Sequence, residues 1–414
     1  MEAMPIGYLI HSALMATLAV ATVAGHRPRR SSPFRLSHVL GFVLNWPVFA
    51  FALLAASTAL AATQTGTGAG FWLGLALTAV ASAALAVLRS RARRTGAVLE
   101  RALDEGLGPA WRDVAPAPAA RLRRRPSFLG VLLAPVTSRR RGVKRIANVR
   151  YGPAPRANLL DVYRDGSSRR GRPVLVYLHG GAFRFGDKRF GARHLLRRLA
   201  GEGWLCVSAN YRLTGGSSEP LADVRRAIAW IREHADEHGA DPGSIFVAGS
   251  SAGAQLASLA GLTQETGSAV AGVIGLNGYY GTVLPRERGT ADAPPYLVVH
   301  GDQDRLVVVD DARRFAAHLR AASSNPVCYA ELPGAQHGFD LFRSRRFDSV
   351  VDAVEAFAAW AGSRAQAGSA AAASAAAAGS RSTTCDAAAP AAPAATATSM
   401  ATAEPVAPGF TVIT

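Results

Sequence analysis

Three nearly charge-free apolar runs open the chain, at about 5–24, 39–62 and 71–88. Each approaches the roughly 20 residues that an α-helix needs to cross a hydrocarbon layer. His11 and Ser12 are the notable polar side chains of the first run. The second is broken only by Asn45 and Pro47, and proline is tolerated inside membrane helices. No Lys or Arg precedes the first run, which argues against a secretory signal peptide. The pattern therefore predicts a membrane anchor of three transmembrane helices over residues 1–88. Residues 89–141 read as a basic amphipathic connector. Its parts are a helical period over 91–107, a Pro/Ala stretch at 115–120 and a short apolar segment at 128–135 between arginine clusters. Such a segment can lie on an anionic leaflet, serve as a solvated linker, or cover a site in the following domain.

From 142 to 363 the period changes. Short strand-like runs at 148–151, 159–163, 174–178, 205–210, 245–248, 270–276, 296–300 and 327–332 alternate with helical stretches. The helices fall at about 192–201, 221–238, 252–262, 309–322 and 349–360. This rhythm predicts an α/β domain with a mostly parallel, doubly wound sheet covered by helices on both faces. Reacting groups in such sheets gather beyond the carboxyl ends of the strands. The loops after 178, 248, 300 and 332 are therefore the ones to search. Residues 364–414 turn to Ala, Ser, Thr and Pro, with too little apolar surface to fold, and are expected to be disordered.

Charge sharpens the first third. Of the net +17 over 414 residues, most lies in residues 1–141, where 17 Lys and Arg face 5 Asp and Glu. Arginines beside apolar spans indicate a membrane surface with anionic lipid headgroups, not a nucleic-acid partner. Their distribution places the first loop and everything after residue 89 in the cytoplasm, with the N-terminus and the uncharged loop at 63–70 outside. The expectation is a multi-pass protein of the cell membrane with a cytoplasmic catalytic domain. Cys206 and Cys328 lie in strand-like runs and Cys385 in the tail, so no disulfide framework is predicted. No Cys/His spacing suggests a metal, and no cofactor is expected.

The candidate chemistry centres on Gly249-Ser250-Ser251-Ala252-Gly253, which joins a predicted strand to a predicted helix. A G-x-S-x-G turn in that context exposes its serine at the N-terminal end of a helix, where developing negative charge is stabilised. After the strand at 174–178 comes His179-Gly180-Gly181-Ala182-Phe183. Two glycines at a strand end let main-chain N–H groups turn inward, and together with that of Ala252 they can bind an oxyanion. His179 itself is expected to brace the loop. Asp302 and Asp304 follow the strand at 296–300, and either carboxylate could orient an imidazole. His337 lies on a glycine-flanked loop after the last strand, as a general base requires.

With these residues in place the region from about 147 to 361 resembles the α/β-hydrolase fold. The likeness is to esterases similar to hormone-sensitive lipase and to bacterial carboxylesterases. The matching stretches are Leu160-Asp161-Val162-Tyr163, His179-Gly180-Gly181-Ala182-Phe183, Asn210-Tyr211-Arg212-Leu213, Gly249-Ser250-Ser251-Ala252-Gly253, His300-Gly301-Asp302-Gln303-Asp304 and His337-Gly338-Phe339. The resemblance implies Ser251 as nucleophile, Asp304 as acid, His337 as base, and an oxyanion site at Gly180, Gly181, Ala182 and Ala252. Many members carry His-Gly-Gly-Gly where this chain has His-Gly-Gly-Ala, and many insert a cap where 281–295 is short here, so an open site is expected unless 126–141 covers it. The apolar leader is similar in arrangement to membrane-anchored esterases and isoprenylcysteine methylesterase-like enzymes.

The implied activity is hydrolysis of short- to medium-chain acyl esters, of small molecules or lipids, through a Ser-His-Asp triad and an acyl-enzyme. An amidase of the aryl-formamidase type, an acyltransferase to a lipid acceptor, and a non-catalytic membrane scaffold are the alternatives. Amide substrates, an added acceptor alcohol and a fluorophosphonate probe discriminate among them.

Overall fold

The computed structural model describes residues 6–24, 47–65, 68–116, 140–263, 269–281, 283 and 290–382. It divides into a unit spanning Met1–Ala367 and a short second one, Gly368–Thr414. The expectations for 25–46, 126–139 and 383–414 fall outside the described residues.

The N-terminal runs form helices α1 (Ile6–Val23), α2 (Pro47–Thr65) and α3 (Ala69–Arg93). Tyr8 on α1 shares hydrogen bonds with Thr58 on α2 and Thr78 on α3, both at 3.1 Å, and Ser12 reaches Thr78 at 3.0 Å. Hydroxyl pairs of this kind join helices whose remaining surfaces are apolar. Two helices among the described residues are long and apolar enough to cross a membrane, Ile6–Val23 and the run Ala69–Leu107. This corrects the expectation of three transmembrane helices. The middle run has a shorter apolar helical part, Ala50–Gln64. Its described helix begins at Pro47.

The helix expected in the connector forms as α4 (Thr95–Leu107), followed by the single turn α5 (Trp111–Val114). Its apolar face meets the sheet, not a lipid surface. Leu99, Leu103 and Trp111 are completely buried within the same core as the strands. A Cβ at Gly106 would lie 2.5 Å from Cys328 Sγ, so glycine permits the close approach of α4 to the last strand. Trp111 Nε1 donates to Asp104 at 2.8 Å and thereby places its one polar atom.

The sheet has eight strands: β1 (Val143–Arg150), β2 (Leu159–Asp165), β3 (Arg172–Leu178), β4 (Leu205–Ala209), β5 (Ala240–Ser250), β6 (Gly272–Leu276), β7 (Tyr296–Gly301) and β8 (Val327–Leu332). Their order is β1-β2-β4-β3-β5-β6-β7-β8. The β1–β2 and β2–β4 pairs are antiparallel and the rest are parallel. Both faces are buried, as parallel sheets require. Along β3, Leu175 and Tyr177 point into one core while Val174, Val176 and Leu178 point into the other. The first core takes α4, α6 (Arg193–Gly201) and α11 (Arg345–Ser382). The second takes α7 (Ser218–Glu233), the turn α8 (Ala235–His238), α9 (Ala252–Leu262) and α10 (Val309–Ala322).

All eight predicted strands and five predicted helices are present, several with shifted ends. The tail departs from expectation, because α11 continues to Ser382. Alanine has the highest intrinsic helix propensity, so an Ala-rich segment can be helical without burying a face.

Candidate active site

Four loops at the carboxyl edge of the sheet meet around one cavity of about 670 Å³. They follow β3, β5, β7 and β8. Each carries one of the groups singled out in the sequence.

Ser251 stands between β5 and α9 with φ 55° and ψ −119°, a region that side chains other than glycine rarely occupy. Sequence explains why the chain can turn so sharply. A Cβ at Gly249 would lie 2.2 Å from the Gly253 carbonyl, and one at Gly253 would lie 2.1 Å from Leu178 O. The strained turn is held by its backbone. Ser251 N–H donates to Leu276 O at 2.9 Å, and Ser251 O accepts from Ala254 and Gln255 as α9 begins. The side chain is thereby presented to the cavity at the positive end of the helix.

The β3 loop lies directly beside it. A Cβ at Gly180 would sit 3.2 Å from Ser251 Cβ. Gly181 has φ 132°, and its Cβ would collide with Phe185 O at 1.9 Å, so only glycine fits there. Ala182 and Phe183 follow at φ 51° and 59°, two consecutive left-handed residues. Ala182 thus adopts a glycine-like conformation at the place where the resemblance leads one to expect glycine. Among the described residues no hydrogen bond occupies the main-chain N–H of Gly181, Ala182 or Ala252. His179 braces this loop: Nδ1 is 2.7 Å from Gly180 O, and the ring stacks on Tyr211 at 4.4 Å. The Tyr211 hydroxyl donates to His179 O at 2.6 Å. Burial pushes the His179 imidazole below its ordinary pKa, keeping it neutral.

Asp304 and His337 are joined across the β7 and β8 loops, with Nδ1 2.7 Å from Oδ2. Asp304 is 1% exposed and accepts the amides of Leu306 and Val307 on Oδ1, both at 2.9 Å. Burial alone would raise its carboxyl pKa. The charges and hydrogen bonds of His337 and His300 outweigh that and hold it well below the usual carboxylate range. Burial likewise works against the charged imidazole of His337, but Asp304, with Asp340 behind it, lifts its pKa above the ordinary 6.5. Asp302, the rival carboxylate, turns away and accepts Gly334 N–H at 2.6 Å.

Two neighbours were given no role in the sequence. His300 places Nε2 3.3 Å from Asp304 Oδ2, four residues earlier on β7. Asp340 is completely buried three residues after His337, where it accepts Asn277 Nδ2 at 3.3 Å and meets the Ser250 hydroxyl. His300 opens the stretch His300-Gly301-Asp302-Gln303-Asp304 that carries the resemblance, whereas the only signal for Asp340 was its spacing from His337.

The remaining cavity wall is largely apolar, with Phe183, Phe190, Leu259 and Leu341 among its residues and Arg184 contributing a charge. No group of three His, Cys, Asp or Glu suited to a metal occurs among the described residues.

The strand order 1-2-4-3-5-6-7-8, with a strained serine at the β5–α9 turn, defines an α/β-hydrolase. The BD-FAE family model matches residues 160–280. The probable carboxylic ester hydrolase LipM of Mycobacterium tuberculosis is 36% identical over 322 residues, 65% of this chain and 74% of its own length. The esterase LipQ of the same organism is 34% identical over 64% of this chain and 75% of LipQ. Among solved structures, a truncated carbohydrate esterase from gut microbiota matches with a TM-score of 0.46 at 19% identity, covering 54% of this chain and 99% of that one. The chain belongs to the α/β-hydrolase esterase family that includes LipM and LipQ, and it is an esterase of the serine hydrolase class.

Proposed function

We propose that the protein hydrolyses carboxylic esters with Ser251 as nucleophile, His337 as general base and Asp304 as the orienting acid. The observation that carries this reading is the buried Asp304–His337 pair at 2.7 Å, whose imidazole lines the same cavity as the strained Ser251. Nδ1 is taken by Asp304, so proton exchange with Ser251 falls to Nε2. As Ser251 Oγ attacks the ester carbonyl, His337 accepts its proton and Asp304 stabilises the imidazolium. The oxyanion is received by the N–H groups of Gly181, Ala182 and Ala252, with Gly180 keeping the loop close to the serine. Collapse expels the alcohol, which leaves with the His337 proton. Water, deprotonated by His337, then releases the acid and restores Ser251. Replacing Ser251 by Ala is expected to abolish hydrolysis of short-chain aryl esters while the protein stays folded. Retained turnover would remove Ser251 as nucleophile.

The apolar lining suits short- to medium-chain acyl groups, and a small-molecule or lipid ester is the proposed substrate. We further propose attachment to the cell membrane through the N-terminal apolar helices, with the arginine clusters on anionic headgroups and the catalytic domain on the cytoplasmic side, where α1 and α3 both end. The support is the length and apolarity of these helices. The chain is expected to stay in the membrane pellet after alkaline carbonate washing with its first 24 residues intact. Release into the supernatant, or loss of those residues, would overturn the attachment. A C-terminal reporter active only outside the cell would overturn the orientation.

A further inference from the structure

The last carbonyls of a helix have no partner within it and carry a partial negative charge. Two arginines from separate elements meet those of α1. Arg305 Nη2 donates to Ala21 O at 3.0 Å, and Arg91 Nη2, from the last turn of α3, donates to Val23 O at 3.1 Å. Arg305 directly follows Asp304. Arg91 rests on the base loop, since a Cβ at Gly334 would lie 3.2 Å from its Cδ. The two loops are also stitched to each other by Gln303 N–H to Ala335 O at 3.0 Å and by Gly334 N–H to Asp302. The end of one apolar helix thus meets the loops that carry both Asp304 and His337.

We propose that Arg305 is a positioning residue, which by binding the terminal carbonyls of α1 fixes the 302–307 loop so that Asp304 holds His337 in register. Arg305 does not line the cavity, whereas Leu306 and Val307, on the same turn, do. Asp304 grips the amides of those two residues, so residue 305 is the middle of a tight turn. Its side chain bonds that turn to a separate element. The inference rests on reading Asp304 and His337 as acid and base.

The test uses the full chain in detergent, with kcat and KM for a soluble aryl ester measured across pH for wild type, Arg305→Met and Arg305→Lys. Misplacing an orienting group is expected to lower kcat about tenfold in Arg305→Met, with KM nearly unchanged. Lys keeps a cationic donor for the same carbonyl and should restore most of the loss. The groups facing His337 are Asp304 and Asp340, with His300 behind Asp304. Loosening Asp304 withdraws support from the imidazolium, so the acid limb of kcat/KM should move to lower pH. Removing a nearby positive charge alone would move it to higher pH. Arg305→Met with unchanged kcat, an upward shift of the limb, or a Lys variant as impaired as Met would each overturn the proposal. Ser251→Ala is assayed in parallel. Turnover surviving in that variant would sink the triad reading itself, whereas its loss alongside an unaffected Arg305→Met would sink only the role of Arg305.

Discussion

Ser251, Asp304 and His337 differ in how their environments prepare them. Ser251 is prepared by backbone strain that Gly249 and Gly253 permit, Asp304 by buried amides and two imidazoles, His337 by the carboxylate it holds. Asp304→Asn should therefore reduce kcat by about 10⁴-fold, because an amide favours the wrong imidazole tautomer. Asp302→Asn should leave kcat near wild type, since its partner is the Gly334 amide. Equal losses, read from kcat on an aryl ester, would reassign the acid. The pH dependence follows in sign. As the proposed base, His337 accepts a proton only when neutral, and Asp304 raises its pKa above the ordinary 6.5, so kcat/KM should rise with pH through a limb above that value. A limb at or below 6.5 would contradict the coupling to Asp304. The Asp304 carboxyl has a depressed pKa in the folded protein. Its contribution to stability is present above the unfolded value and is lost as pH falls through the folded one. Acid should therefore silence the enzyme reversibly, well before that contribution disappears.

At the scale of elements, the sheet was legible because each strand is an apolar run bounded by turn residues. The start of α9 was marked by the sharp Ser251 turn. The destination of α4 was not legible. Periodicity shows that Leu99 and Leu103 share a face but not whether lipid, solvent or β8 covers it. Burial was also a poor guide to α11, whose extension past residue 363 follows from alanine propensity. Asp304 could be separated from Asp302 only by family resemblance, because both precede the same loop and the choice depends on which carboxylate faces His337. The docking of α4 and α5 carries its own prediction. Trp111→Ala removes a fully buried indole and should destabilise the catalytic unit by about 3–5 kcal/mol. The check is a denaturant midpoint. A chain begun at residue 142 should likewise unfold or aggregate where one begun at residue 95 does not.

Across the whole molecule, the apolar helices and the catalytic sheet are continuous. α3 runs into α4, α4 packs on β8, and the end of α1 meets the acid loop through Arg305. The N-terminal third is thereby proposed to support the site as well as to attach the protein to the membrane. The net positive charge, concentrated in that third, suits anionic headgroups over any acidic substrate. The same arrangement explains why residues far from the cavity are expected to influence kcat.

The most direct test of the central claim is to locate the covalent adduct after reaction with a fluorophosphonate. Intact-mass and peptide mapping should find one adduct on Ser251 in the wild type and none in Ser251→Ala. Labelling should be strongly slowed in His337→Gln. An adduct on another residue, or wild-type labelling rates in the His337 variant, would contradict the assignment of nucleophile and base.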